Sequence, residues 1–168
     1  MAKLEYSFED YNTDDVLKIH LNLILVAAYL AKYFIIIIFL PILSKIPRVG
    51  EAVTLAMPYV TEYVENYPNL IFLLVSLPAV IVIAAMFRRA PKTKSPFLRK
   101  SWAKTRELLF ISAIADIILI TLYLIIGIKT FNEMYLIYLY LDAMVILYLW
   151  KSKRTRDVIA EFPEYKSQ

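Results

Sequence analysis

The stretch from Ile19 to Leu43 limits the fold more than any other part of the chain. Its core, LILVAAYLAKYFIIIIFL, is apolar except for Lys32. A run of about 20 such residues, rising 1.5 Å each, crosses the ~30 Å hydrocarbon core of a bilayer. A helix lying on a soluble core would show a polar stripe with a 3.6-residue period, and none is present here. Comparable runs recur at about 69–87, 108–128 and 134–150. They raise the apolar share to 60%, above the ~45–50% of soluble domains. In hydrocarbon each backbone N–H must find its acceptor within its own segment, which selects helices. The expected fold is therefore all-α: residues 1–168 form one integral membrane unit, an antiparallel bundle of four transmembrane helices.

Orientation follows from Arg88–Arg106, RRAPKTKSPFLRKSWAKTR. This segment holds eight of the nineteen Lys and Arg residues and no acid: Arg88, Arg89, Lys92, Lys94, Arg99, Lys100, Lys104 and Arg106. Basic residues beside span ends stay on the cytoplasmic side. Both termini then lie inside with this segment, and residues 44–68 and 129–133 lie outside. Fifteen Lys and Arg fall on the inner segments and three on the outer ones, with Lys32 inside a span. The expected location is the cell membrane, with several crossings. The clustered positive charge reads as topology and headgroup attraction, not as a nucleic-acid surface.

The connections carry less information. Residues 51–66 read as one short outer interfacial helix. Tyr59, Tyr63 and Tyr67 recur at i, i+4, i+8 and so share a face. An apolar ring with a polar tip suits the headgroup boundary, so these three and Trp150 are the expected interfacial anchors. Pro78 removes the hydrogen bond to the Leu74 carbonyl and predicts a kink in the second span. Pro91 and Pro96 keep the first half of the basic segment irregular, and a helix could begin early, near Arg99. Small residues that let helix backbones approach are Ala27, Ala31, Ala79, Ala84, Ser112, Ala113 and Ala115.

Three ionisable residues lie within spans: Lys32, Asp116 and Asp142. Each costs at least ~2.5–3.5 kcal/mol at a helix centre, so each should face protein or water. Counted from the inner ends of the spans, Lys32 sits about 20 Å deep and the two acids about 12 Å. Side chains tilt toward a helix N-terminus, so Lys32 and Asp142, on antiparallel helices, lean toward each other. This predicts a Lys32–Asp142 ion pair, and leaves Asp116 as the water-exposed or proton-titrating acid. The three together read either as structural pairing or as a proton relay.

Other chemistry is sparse. The chain has no Cys and one His, His20 at the inner mouth of the first span. That excludes thiolate metal sites and a bis-histidine haem within one chain. There is no GxSxG, HExxH or phosphate-binding Gly loop. No cofactor of its own is expected; quinone or lipid contact at the boundary stays open. The expected partners are the lipid bilayer and other membrane subunits or further copies of this chain.

The last span ends Tyr148-x-x-x-Ser152-x-Arg154, and the second ends in FRR-x-P at Phe87–Pro91. In these elements, over its second half, the chain resembles a family of small bacterial four-span inner-membrane proteins of unknown function. The resemblance implies that architecture and no catalytic residues. Two functions are compatible with the residues. One is a non-catalytic accessory subunit of a larger membrane complex, respiratory assemblies among them. The other is a small proton- or ion-coupled transporter using Asp116, Asp142 and Lys32.

Overall fold

The computed structural model describes residues 6–12, 16–43, 45–46, 70–91, 93–127 and 133–163. Tyr59, Tyr63, Tyr67 and Lys92, and with them the outer interfacial helix, lie outside the described residues. Those described are helical, with no strand among them; a single antiparallel bridge joins Tyr11 and Leu17. We label the helices α1 (Leu21–Leu30), α2 (Lys32–Leu43), α3 (Leu70–Phe87), α4 (Pro96–Ala103), α5 (Thr105–Ile125), α6 (Glu133–Lys151) and α7 (Lys153–Ala160).

α5 is 21 residues long and apolar enough to cross a membrane. α1 and α2 together, bent by 65°, and α6 with α7, bent by 66°, pass the same test if each bent pair counts as one span. α3 is a shorter apolar helix. The sequence expectation of four continuous spans is thus met in full only by α5.

Each helix buries one face. On α5 it is Leu109, Ser112, Ala113, Asp116 and Ile120; on α1, Leu23, Ala27 and Leu30; on α3, Phe72, Ser76, Ala79, Val82 and Ala85. These spacings of three and four residues bring one stripe toward the neighbouring helices. α3 packs on α5 and on α1, and α6 packs mainly on α5. Small residues sit at the contacts, as expected for close helix approach. Ala27, Ala31, Ala79, Ser112 and Ala113 are buried, but Ala84 is exposed and Ala85 takes its place.

Two breaks in the helices have local causes. After Leu30 the chain turns at Ala31 and continues as a π-type stretch, Ile35–Phe39. Pro41 lies two residues beyond it, and its ring nitrogen cannot donate to the Ile37 carbonyl within that stretch. At Ser152 the chain leaves α6, and the Ser152 hydroxyl accepts from the Thr155 N–H at 3.2 Å, capping α7. By contrast α3 runs on through Pro78. The Ser112 hydroxyl donates to the Val75 carbonyl at 2.6 Å, next to the Leu74 carbonyl that Pro78 leaves without its helical donor.

The segments before α1, between α3 and α5, and after α6 meet at one end of the helices. Arg89 binds them together. Its guanidinium donates to the carbonyls of Leu17 at 2.7 Å, Glu161 at 2.9 Å and Val158 at 3.3 Å. It also lies 4.9 Å from the centre of the buried Trp102 ring. Trp102 donates from its indole N–H to the Glu161 carbonyl at 3.0 Å, and the Glu161 carboxylate accepts from the Leu17 N–H at 2.6 Å. We call this assembly the cap.

Candidate functional site

The three charges that the sequence places inside spans converge in the structure. Lys32 follows the break after α1, and its ammonium donates to Asp116 Oδ2 on α5. Tyr33 donates to the other oxygen, Oδ1, at 2.8 Å. Three rings surround the ammonium: Tyr29 at 4.2 Å, Tyr33 at 4.6 Å and Tyr138 at 5.7 Å from their centroids. Such ring faces attract a cation, more strongly once it is desolvated. The Tyr29 hydroxyl donates to the Tyr138 carbonyl at 3.3 Å, which links α1 to α6.

The expected partner of Lys32 was Asp142, and this is corrected: Lys32 pairs with Asp116. Asp116 is also not water-exposed, being 1% accessible. The reason lies in the helix ends. α1 begins at Leu21 and α5 at Thr105, so Lys32 and Asp116 each stand eleven residues from the start of a helix leaving the cap. At 1.5 Å per residue both are about 16 Å deep. The sequence estimate began the first helix two residues too early and the third helix three residues too late, which separated two side chains that are level.

Asp142 stands nine residues before the end of α6, about 14 Å deep and therefore at nearly the same level. It is fully buried, and neither carboxylate oxygen holds a hydrogen bond of normal geometry. Lys32, Asp116 and Tyr29 are the charged and polar groups that face it. The site therefore collects two carboxyl groups and one ammonium in a low-dielectric interior. Tyr29, Tyr33 and Tyr138 escaped sequence reading. The available signal was the spacing of Tyr29, Lys32 and Tyr33, since residues three or four apart share a helix face.

Among described residues no group of three His, Asp or Glu side chains could hold a metal ion.

The basic segment divides by role. Arg89 is turned inward into the cap, and burial pulls its guanidinium below the usual arginine value, with Glu161 opposing. Arg99 donates from Nε to the Thr93 carbonyl at 3.1 Å and stacks 4.7 Å from the Phe162 ring centre. Arg106 lies over Phe110. Arg88, Lys94, Lys100 and Lys104 are exposed. Part of the expected loop is the helix α4, capped by Ser95, whose hydroxyl accepts from the Leu98 N–H. Trp150 is 63% exposed at the cap end of α6. His20 contacts the Tyr148 hydroxyl, which also accepts from Thr155 at 3.0 Å.

The outer ends of the cap are tied by Tyr6, which donates to Asp157 at 2.5 Å, and by Arg154, which binds Asp10 at 2.6 Å. The family model described as Protein of unknown function (DUF2919) matches residues 6–161. The chain belongs to that family. The DUF2919 match starts at Tyr6 and ends at Glu161, both of which are cap residues, so it takes in the cap and the charged centre together. No curated protein and no solved structure matches this DUF2919 chain.

The Arg154 hydrogen bond holds the Asp10 carboxyl below its ordinary value of 3.8. An unfolded chain then binds more protons than the folded one in the window just below that value. Asp10 thus adds stability above about pH 4, and this is lost as pH falls through its folded pKa. Thermal melts between pH 2.5 and 6 should show Asp10→Asn losing stability at pH 6 but converging on wild type at the acid end. Parallel curves for the two proteins would show that the pair contributes nothing.

Proposed function

We propose that this chain is a multi-pass protein of the cell membrane that couples proton or small-cation binding to transport. Four apolar segments cross the bilayer, and the cap lies on the cytoplasmic side. Two facts support that orientation: the fifteen-to-three bias of Lys and Arg in the sequence, and the meeting of the described segments before α1 and after α6 with the basic segment at one end of the helices.

The observation that carries the transport reading is Asp142. Lys32 and Asp116 already neutralise each other, and Tyr33 serves the second Asp116 oxygen. A second buried carboxyl, whose oxygens hold no hydrogen bond of normal geometry and which shares Lys32 with Asp116, is costly if charged. A proton or a small cation restores the balance at Asp142. Ionisable residues placed at membrane depth commonly mark such pathways. Uptake at Asp142 would also change the attraction that holds Lys32 against Asp116, which gives a means of coupling occupancy to the bend between α1 and α2.

The test is flux in vesicles containing the purified chain and a trapped pH indicator. Wild type should relax an imposed proton or sodium gradient faster than empty vesicles. Asp142→Asn should lower that rate at least tenfold while the protein stays folded. Equal rates for wild type, variant and empty vesicles would sink the reading.

One observation favours the second reading, an accessory subunit of a larger membrane complex. α6 packs mainly on α5 and leaves Leu136, Ile137, Tyr140, Leu141, Met144 and Leu147 exposed among the described residues. A subunit should travel with other chains in fixed ratio on native gels after gentle detergent extraction.

A further inference from the structure

Between α1–α2 and α3 lies a groove of about 600 Å³, within the size range of small-molecule sites. Every residue lining it is apolar; Ile24, Ala28, Phe34, Ile83 and Met86 form much of the wall. The space exists because α2 turns 65° away from the α1 axis and because Ala28 and Ala31 carry only a methyl group. Its cap end is marked by Ile19 and Phe87, and Phe87 is 85% exposed.

What distinguishes this groove from ordinary apolar surface is the charge at that end. One residue beyond each lip stands an exposed cation: Lys18 before Ile19, whose ammonium gives one of its three protons to the Glu9 carbonyl at 2.8 Å, and Arg88 after Phe87. The contrast with Arg89 is informative. Of the two adjacent arginines, Arg89 donates to three carbonyls and lies over a ring, whereas Arg88 is exposed, one residue beyond the Phe87 lip. An apolar slot with two cations at its mouth matches a molecule with a hydrocarbon tail and an anionic head. Basic residues at the cytoplasmic boundary attract anionic headgroups in this way.

We propose that this groove holds an acyl chain of an anionic phospholipid whose phosphate is met by Arg88 and Lys18. The proposal rests on the membrane reading above but not on transport. An isoprenoid quinone would fill the same walls, yet it brings no negative charge for two cations. A zwitterionic lipid brings a compensating positive charge that the two cations repel.

The experiment uses the full chain purified in a mild detergent, with native mass spectrometry of what it retains and melts after adding phosphatidylglycerol or phosphatidylcholine. We expect one retained anionic phospholipid per chain and a thermal shift from phosphatidylglycerol alone. The exposed-site variant Lys18→Gln/Arg88→Gln should raise the phosphatidylglycerol concentration needed for that shift at least tenfold. Ala28→Trp, which fills the groove, should abolish retention, and Lys100→Gln, a cation on α4, should leave it unchanged. An equal shift from phosphatidylcholine, retention of a quinone in place of phospholipid, or wild-type retention in the double variant would each overturn the proposal. Flux failing while lipid is retained would count against transport only. Release of the chain from native membranes by alkaline carbonate would count against the membrane reading beneath both.

Discussion

Asp116→Leu should destabilise the protein by about 3–5 kcal/mol, and Lys32→Met in the same chain should recover most of that loss. Removing one partner of a buried ion pair strands the other charge in low dielectric, and about 3–5 kcal/mol is the usual cost. Both partners qualify: the Lys32 side chain is 10% exposed and that of Asp116 is 2% exposed. Leu at 116 would also remove the carboxylate oxygen that accepts from the Tyr33 hydroxyl. The double variant replaces the pair by apolar groups of similar size, which is often neutral or stabilising. Asp142→Asn should behave differently. It removes a buried acid whose oxygens hold no hydrogen bond of normal geometry, so stability should hold or rise even as flux falls, the pattern of a residue kept for function. Denaturant unfolding in mixed micelles measures all four proteins. A cost below about 1 kcal/mol for Asp116→Leu would mean that the released Lys32 is not stranded, either because Asp142, which faces it, takes over as its partner or because its long flexible stem reaches water.

The same residues show what a single sequence reveals. The helical class, the presence of buried charges and the gathering of the segments before α1 and after α6 with the basic segment follow from period, length and charge, because each is a property of one segment or of a sum over segments. Which acid faces Lys32 depends on where two helices start, to within two or three residues, and helix ends are the least determined feature of a sequence. His20 and Lys104 are not recognisable caps, so nothing in the chain announces that α1 begins at Leu21 and α5 at Thr105. The break at Ala31 was hidden for another reason. No Gly or Pro stands beside it, and the π stretch that follows, Ile35–Phe39, ends two residues before Pro41. Arg89 was hidden inside its own context. Among eight bases it reads as one more topological charge, and only its three carbonyl partners, from segments about seventy residues away in either direction, set it apart.

Arg89→Gln should open the cap while leaving the helices intact. Hydrogen bonds to a charged donor contribute about 1.5–3 kcal/mol each. Arg89 makes three, two of them at 2.7 and 2.9 Å, and it is partly buried. Removing it exposes the carbonyls of Leu17, Val158 and Glu161 to water or leaves them unpaired, and Trp102 loses its cation–π neighbour. A loss of about 2–4 kcal/mol in docking free energy is expected. At 1.4 kcal/mol per tenfold, the open population rises roughly 30- to 700-fold. Arg89→Lys should fall between, because one ammonium cannot reproduce the planar fork that reaches three carbonyls. Two readouts follow from the contacts. Hydrogen exchange should speed up at the Leu17 amide, which donates to Glu161. Trypsin should cut sooner after Lys153 and Arg154 in α7, while circular dichroism keeps its helical signal. Arg88→Gln, one residue away and exposed, is the control and should change neither rate. If Arg89→Gln and Arg88→Gln behaved alike, the cap would be held by its apolar contacts, Trp102 and Val158 foremost, and the arginine fork would be incidental to it.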